Sequence, residues 1–147
     1  MAIGENELVT TREFDVPREL VFRAWTTPEL LARWWGPKGF TNTFHECDIR
    51  PGGTWTLIMH GPDGTDYPNH SVFVEVVAPE RVVLDHLSGH EFRLTGTFED
   101  LDGRTKVTFR QRFKLKEDFE QAKPYCVEAN EQNLDRMGEV LAELAGS

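Results

Sequence analysis

The sequence has little cysteine, few basic residues and no long apolar run, and each shortage limits what the protein can be. The two cysteines, Cys47 and Cys126, form no CxxC pair, which favours reduced, buried thiols in a cytoplasmic protein. No apolar stretch approaches the length of a membrane span. Residues 1–10 lack the apolar core with basic flanks that a signal peptide requires, so we expect none.

The charge balance is acidic. There are 25 acidic and 16 basic residues, which gives a formal net charge of −9 and a pI near 5.0. This balance disfavours a general surface for nucleic acid or for anionic membranes, although a local basic patch for a protein partner stays compatible with it. The motifs of common catalytic sites are missing as well: the sequence has no phosphate-binding loop, no GxSxG and no paired carboxylates. The sequence therefore predicts no cofactor and no recognisable catalytic constellation.

Length and composition predict a soluble globular protein. The chain has 147 residues, of which 39% are hydrophobic and 28% charged, values that are ordinary for a soluble fold. This length suits one domain, residues 1–147, with a sizeable core.

Alternating apolar and polar residues predict strands over most of the chain. Short turn sequences such as Asp102-Gly103 separate the runs, which favours hairpins and an antiparallel meander. The predicted strands cover residues 8–14, 40–49, 54–60, 70–77, 82–87, 91–99 and 105–113. Several of them have one apolar face, which we expect to be buried: Trp55, Leu57 and Met59; Val72, Val74 and Val76; Phe92, Leu94 and Phe98; Val107, Phe109 and Phe113.

Two short helices are predicted between the first two strands. Pro17 suits the first turn of one helix, and Thr27-Pro28-Glu29 is typical of the start of the other, which ends before Gly36. Trp34 and Trp35 stand at its end, and two adjacent indoles cannot point the same way on a helix. We expect one of them to enter the core and the other to line a pocket rim or the surface.

The C-terminal segment, residues 124–144, predicts a long helix with one apolar face. Pro124 suits its first turn, Gly146 suits its end, and residues 114–123 are predicted to be a charged connection. Cys126 and Val140 widen the apolar face. Its main residues recur at steps of three, four and seven: Val127, Leu134, Met137, Leu141 and Leu144.

Asn130 interrupts this apolar face, and Asn133 lies at its edge. A helix turns by 100° per residue, so Asn130 lies within about 20° of Met137 and about 40° of Leu134. It must therefore face the interior if those two are buried. A bond to the sheet or to a trapped water would satisfy its amide, and so would a ligand that it anchors. Both alternatives stay open at this point.

Four motifs give the chain a family resemblance. Residues 25–37 read WTTPELLARWWGP, residues 48–55 read DIRPGGTW, residues 102–108 read DGRTKVT and residues 134–137 read LDRM. Together they resemble the activator of heat-shock protein 90 ATPase-like domains of the SRPBCC superfamily, which also holds START lipid-transfer domains. The resemblance covers nearly the whole chain. One position departs from it, because Asn130 stands where many relatives carry a tryptophan.

The resemblance implies an α+β helix-grip fold: a seven-stranded curved antiparallel sheet wrapped around a long C-terminal helix, with two short helices after strand 1. It also implies a cavity between sheet and helix, because a concave sheet and a straight helix cannot touch along their whole length. The predicted lining combines apolar and a few polar side chains, as small-molecule pockets do: Trp34, Trp55, Leu57, Met59, His70, Val72, Val74, His86, Phe92, Leu94, Phe109, Cys126, Asn130, Asn133 and Met137.

The histidines are considered as metal ligands and rejected. His86 and His90 are four apart with a turn between them, and this spacing aligns two ligands only on a helix. His45 and Cys47 share a strand face by alternation, but two ligands do not make a site. His70 and His86 are predicted either to make hydrogen bonds at strand ends or to line the pocket.

Three functions follow from this sequence. The first is binding of a small hydrophobic or amphipathic molecule between sheet and helix. The second is a cyclase or hydrolase in which His70, His86 or Asn130 places a proton. The third is a co-chaperone-like role in which the outer surface, around Trp34 and Trp35, contacts a chaperone or another protein, as the family name and its link to stress response suggest. We rank binding first, and we expect a monomer or a homodimer.

Overall fold

The computed structural model describes residues 6–89 and 91–146, which form ten elements of secondary structure. The predictions that fall on residues 1–5 and on His90 lie outside the described residues. The elements, in chain order, are β1 Glu7–Phe14, α1 Arg18–Thr26, α2 Pro28–Trp34, β2 Thr41–Cys47, β3 Thr54–His60, β4 Asp66–Val77, β5 Arg81–His86, β6 Phe92–Leu101, β7 Arg104–Phe113 and α3 Lys116–Gly146.

The seven strands form one antiparallel sheet in the order β1-β7-β6-β5-β4-β3-β2. Hairpins join every sequential pair from β2 to β7, whereas β1 pairs with β7 at the far edge. The helices α1 and α2 make the connection from β1 to β2 across the sheet. The predicted α+β helix-grip fold, with two short helices after strand 1 and a long C-terminal helix, is confirmed.

The core lies between the concave face of the sheet and the three helices. Trp25 of α1 is buried against the middle of the sheet, where Gly96 of β6 makes room for its ring. A Cβ atom at position 96 would lie 2.7 Å from that ring, so no larger residue fits there without a shift. The inward faces predicted for β3, β6 and β7 are buried or line the interior, as alternation requires.

The inward face predicted for β4 is wrong. Ser71 and Phe73 are buried and pair with Trp55 and Leu84, so they face the core. Val72 therefore lies on the outer face, because successive residues of a strand alternate. A bulge between Phe73 and Glu75 then shifts the alternation by one residue. Val76, which pairs with the buried Val82, therefore faces the core as predicted.

The last helix begins earlier than predicted. It runs over 31 residues from Lys116, so Pro124 lies inside it and not in its first turn. Phe119, Ala122 and Cys126 pack near Leu8 and Phe113 in a second apolar cluster, which explains why residues 116–123 are helical and not a loose connection. Val127, predicted to be buried, is 39% exposed because the buried face runs through Asn130, Asn133 and Met137 instead. Among the described residues, no helix has the length and apolarity that crossing a membrane requires.

Arg136 of α3 holds the loop that follows α2. Its Nη1 donates to the carbonyl oxygens of Trp35, Gly36 and Pro37 at 2.9–3.2 Å, and its Nη2 donates to that of Arg33 at 2.9 Å. These carbonyls close a helix and a tight turn, so they have few partners in the backbone. Burial lowers the pKa of Arg136, but the group stays charged at any ordinary pH.

Removal of Met137 from the core tests the docking of α3. Because Met137 is fully buried, Met137→Ala should lower the free energy of unfolding by about 2–5 kcal/mol. Gln121→Ala, at an exposed position of the same helix, should change it by less than about 0.5 kcal/mol. Chemical denaturation monitored by tryptophan fluorescence measures both. Equal midpoints for the two variants and the parent would show that α3 is not docked here.

The hydrogen bonds from Arg136 to the loop after α2 lead to a second prediction. Arg136→Met keeps most of the side-chain stem but removes all four donated hydrogen bonds, and it should cost about 1–3 kcal/mol of stability. The matched control is Arg33→Met, which removes an exposed ion pair with Glu143 and should cost about 0–1 kcal/mol. Hydrogen exchange should speed up at the backbone amides of Trp35 and Gly36 in the first variant alone. If both variants lose the same stability, Arg136 does not hold the loop.

Candidate functional site

A cavity of about 200 Å³ lies where the concave sheet, α3 and the loop after α2 meet. The sheet contributes side chains from β3 to β7, α3 contributes two asparagines, and the loop contributes one indole ring and the turn behind it. The lining residues are Trp35, Gly36, Pro37, Met59, Asn69, His86, Phe92, Leu94, Phe109, Gln111, Asn130 and Asn133.

The structure brings seven of the predicted lining residues together around this cavity. Asn130 and Asn133 of α3 lie in this lining with Met59 and Phe92 of the sheet. The seven are Met59, His86, Phe92, Leu94, Phe109, Asn130 and Asn133.

The other eight predicted residues do not line it. His70 and Val72 lie on the outer face of β4, and Val74 is the extra residue of the bulge in that strand. Cys126 packs against the second apolar cluster. The remaining four are buried in the main core, behind the cavity wall: Trp34, Trp55, Leu57 and Met137.

One of the two adjacent tryptophans lies in the core and the other at the cavity, but Trp35 lines the cavity, whereas the predicted lining named Trp34. Trp34 is 0% exposed, packs against Trp25, and its indole N–H donates to the carbonyl oxygen of Ala24 at 3.0 Å. Trp35 lies in the loop after α2, where its ring meets that of Trp55 at a centroid distance of 4.8 Å. The carbonyl of Trp35 accepts hydrogen bonds from Arg136 and from Asn42. These contacts fix the ring as a wall of the cavity.

Asn130 and Gln111 form a buried amide pair on opposite sides of the cavity. Asn130 Nδ2 donates to Gln111 Oε1 at 3.0 Å, and the two residues are 5% and 6% exposed. Neither the second donor group, Gln111 Nε2, nor the acceptor Asn130 Oδ1 has a hydrogen-bond partner among the described residues. The pair therefore offers one donor and one acceptor to whatever fills the cavity.

Asn133 differs from Asn130, because both ends of its amide are satisfied. Its Oδ1 accepts the N–H of Gly36 at 2.8 Å, and its Nδ2 donates to the carbonyl of Ala129 at 3.1 Å. The first of these hydrogen bonds joins the loop after α2 to α3, next to the hydrogen bonds that Arg136 makes to the same loop. Asn133 therefore supports the cavity wall and leaves Asn130 as the polar group of α3 that is available.

Contacts with Asn69 and with Phe92 hold His86 at the end of β5. Asn69 Nδ2 donates to the carbonyl of Tyr67, which turns Asn69 Oδ1 toward His86 Nε2. An amide oxygen can only accept, so Nε2 carries a proton and donates. The imidazole also stacks on the Phe92 ring, with centroids 4.5 Å apart and planes 9° from parallel.

Two polar lining residues, Gln111 and Asn69, had been missed. Gln111 follows Val107 and Phe109 by strict alternation, so the pattern of β7 could have predicted a buried amide there. Asn69 faces inward because it pairs with Leu57. Asn69 precedes residue 70, where the strand was predicted to begin. The alternation pattern therefore gave no signal for its inward position.

Outside the cavity, the polar side chains of β2 to β4 lie mostly on the outer face. His45 is exposed in a bulge between Phe44 and Glu46, so it does not share a face with Cys47. An exposed chain of hydrogen bonds links Thr43 Oγ1 to His60 Nε2 and His60 Nδ1 to Asp66 Oδ1, each at 2.7 Å. The described residues contain no group of three or more His, Cys, Asp or Glu side chains that could hold a metal ion.

The two thiols are in apolar surroundings. Burial raises the pKa of Cys126. Burial, together with the nearby carboxylates of Asp48 and Glu29, raises the pKa of Cys47 to about 11. Neutral thiols are favoured in the folded protein, so the stability that Cys47 contributes is present below the ordinary thiol pKa and is lost as the pH rises toward 11.

Alkylation tests the environment of Cys47. In a Cys126→Ser variant, the rate of reaction with iodoacetamide should follow the thiolate fraction and rise about tenfold per pH unit from pH 8 to pH 10. An unperturbed thiol would instead level off above about pH 8.5. Intact-protein mass spectrometry measures the rate, and circular dichroism checks that the protein stays folded. A plateau near pH 8.5 would contradict the burial of this thiol.

Comparisons with known proteins agree with this architecture. The structure is similar to that of a protein from Nitrosomonas europaea, with 23% identity, a TM-score of 0.89 and coverage of 99% of this chain and 100% of the other. A protein from Arthrobacter aurescens is 26% identical, with a TM-score of 0.86 and coverage of 94% and 87%. The AHSA1 protein of Silicibacter pomeroyi is 23% identical, with a TM-score of 0.76 and coverage of 95% and 97%.

These likenesses show a shared fold. A search among curated proteins found no match. The family model of the Activator of Hsp90 ATPase homolog 1-like protein matches residues 15–142, from the end of β1 almost to the end of α3. The match spans most of the sequence, and the chain therefore belongs to this family.

Proposed function

We propose that this protein binds a small, neutral, amphipathic molecule in the cavity between the sheet and α3, with residues 1–147 acting as one domain. The observation that carries the proposal is the Asn130–Gln111 pair, two residues only 5% and 6% exposed whose remaining acceptor and donor groups line the cavity beside apolar rings. A ligand that accepts from Gln111 Nε2 and donates to Asn130 Oδ1 would use both groups, and each such hydrogen bond contributes about 0.5–1.5 kcal/mol net.

The size of the cavity limits the ligand. An apolar cavity of about 150 Å³ holds a benzene molecule, so a cavity of about 200 Å³ suits one ring with a short polar substituent. Fatty acids and sterols are too large to fit inside it whole. The aromatic rings of Trp35, Phe92 and Phe109 provide the apolar surface that a flat ring would contact.

The chemistry of the lining limits the charge of the ligand. His86 is the only titratable side chain that lines the cavity among the described residues, and it donates to the neutral Asn69. Burial of an ion without a counter-charge is expensive. A neutral molecule that carries both a hydrogen-bond donor and an acceptor, such as an aromatic amide, fits this lining best.

The two alternative functions receive less support. A cyclase or hydrolase would need a second titratable group inside the cavity with His86, whereas His70 lies on the outer face of the sheet. A protein partner, suggested by the family name, would need apolar groups on the outer surface. Trp34 and Trp35 were the expected ones, but Trp34 is buried and Trp35 lines the cavity.

Substitution of Asn130 tests the proposal with two matched probes, benzamide and isopropylbenzene, which share the ring and the number of heavy atoms. Because Leu cannot accept a hydrogen bond, Asn130→Leu should shift the ratio of the two affinities toward the hydrocarbon by about 5- to 150-fold. Asn130→Trp should fill the cavity and abolish the binding of both probes. Isothermal titration calorimetry measures the affinities.

The control for both variants is Gln121→Leu, at an exposed position of the same helix, which should bind both probes as the parent does. Circular dichroism and thermal melting establish that each variant is folded. If the parent binds neither probe, or if Asn130→Trp binds both of them as tightly as the parent, the cavity is not a ligand site. An unchanged affinity ratio in Asn130→Leu would show that the amide pair is satisfied by water alone.

A further inference from the structure

Three polar side chains form a line of hydrogen bonds on the outer face of the sheet, away from the cavity. Thr43 Oγ1 lies 2.7 Å from His60 Nε2, and His60 Nδ1 lies 2.7 Å from Asp66 Oδ1. Asp66 stands directly opposite His60 on β4, and Thr43 lies on the other side, diagonally across from His60 on β2. A hydroxyl, an imidazole and a carboxylate in this order are the arrangement by which hydrolases activate a nucleophile.

The carboxylate determines the direction of both hydrogen bonds. An ionised carboxylate only accepts, so Nδ1 of His60 carries a proton and donates to Asp66. In a neutral imidazole the other nitrogen is then an acceptor, so the hydroxyl of Thr43 donates to Nε2. This is the tautomer in which a histidine can take the proton from a hydroxyl as a general base. The three side chains come from three different strands, so no sequence motif indicated them.

The surroundings of Thr43 limit the class of substrate. Thr43 is exposed, so a reagent can reach its hydroxyl from the solvent. It stands opposite Ile58 of β3, which in turn stands opposite Pro68 of β4, so these two apolar side chains share its face of the sheet. Ile58 is partly exposed and Pro68 is exposed. An acyl group on Thr43 Oγ1 would lie against them, which favours a short apolar acyl chain over a charged one.

We propose that Thr43 is a nucleophile that takes an acyl group from an activated ester of a short apolar acid, with His60 as its general base and Asp66 as the residue that positions His60. The site lies on the opposite face of the sheet from the cavity, so this inference does not rest on the proposed function.

The transfer is a balanced exchange of one ester for another. Thr43 Oγ1 attacks the carbonyl carbon of the substrate while its proton passes to His60 Nε2. The bond from that carbon to the leaving oxygen then breaks, and the imidazolium gives the proton to the leaving group, which departs as an alcohol. Water attacks the acyl group on Thr43 by the same route, which frees the acid and restores the hydroxyl.

Reaction with p-nitrophenyl butyrate tests the proposal. Tandem mass spectrometry after a short exposure locates each butyryl group in the chain, and absorbance follows the release of p-nitrophenolate. Thr11, which is exposed on the opposite edge strand β1, serves as the internal reference. A positioned general base accelerates attack by about 10²–10⁴-fold, so Thr43 should be butyrylated at least about 10²-fold faster than Thr11.

Variants separate the parts played by the three side chains. Thr43→Val keeps the β-branched shape but removes the hydroxyl, and it should lose the butyryl group at this position and the release that depends on it. His60→Gln should lower the rate at Thr43 by at least about 10²-fold. Asp66→Asn keeps an acceptor oxygen but removes the charge, and it should lower that rate by about two- to fivefold, the range of an exposed ion pair.

The matched control is Thr41→Val, which removes a hydroxyl from the same strand, directly opposite His60, and should react as the parent does. Circular dichroism and thermal melting establish that each variant is folded. The site is not a nucleophile if Thr43 is butyrylated no faster than Thr11 and Thr43→Val releases p-nitrophenolate as fast as the parent. An unchanged rate in folded His60→Gln would show that the hydrogen bonds serve only the structure, and an unchanged rate in folded Asp66→Asn would contradict the role given to Asp66.

Discussion

The structure depends on the way that α3 holds the loop after α2. One guanidinium, that of Arg136, satisfies four carbonyl groups, and the amide of Asn133 takes the N–H of Gly36 from the same loop. The loop cannot leave α3 without breaking all five of these hydrogen bonds at once. Because the loop carries Trp35, the same contacts that fasten a helix to its neighbour also set the wall of the cavity. Fold stability and site geometry therefore share one set of hydrogen bonds.

The inward side of α3 has two parts, one that packs into the core and one that lines the cavity. Its C-terminal half packs Met137 and Leu141 tightly into the core, whereas Asn130, two turns earlier, lies where the curved sheet bends away. A protein interior is normally close-packed, so a space of this size needs side chains that keep it open. Here a short amide stands where many relatives are expected to carry an indole, and Gln111 meets it from the sheet. The polar interruption of the helix is therefore matched by a polar residue on the opposite strand.

The sequence allowed most of the fold to be predicted, and the reasons for the errors are local. The limits of β3 agree with the prediction because alternation runs unbroken through it. In β4 a bulge after Phe73 changes the face of the sheet on which later residues lie. No pattern in the sequence predicted this bulge. Pro124 was taken for a helix start, although Phe119 and Ala122 already had helical spacing before it. Within the site, Asn130 could be placed by rotation about one helix, but Asn69 depends on strand register, which alternation alone does not determine.

The pairing of β1 with β7 has a consequence for how the protein is made. Thr10 pairs with Phe109 across about 100 residues of intervening chain. During synthesis the hairpins from β2 to β6 can form as they emerge, but β1 has no neighbour until β7 has been completed. Non-local pairing of this kind slows folding, because the chain between the partners must be ordered before the contact is gained. The β1–β7 pair and the docking of α3 can therefore form only after β7 and α3 have been made, and the cavity, which needs α3 as one wall, cannot exist before then.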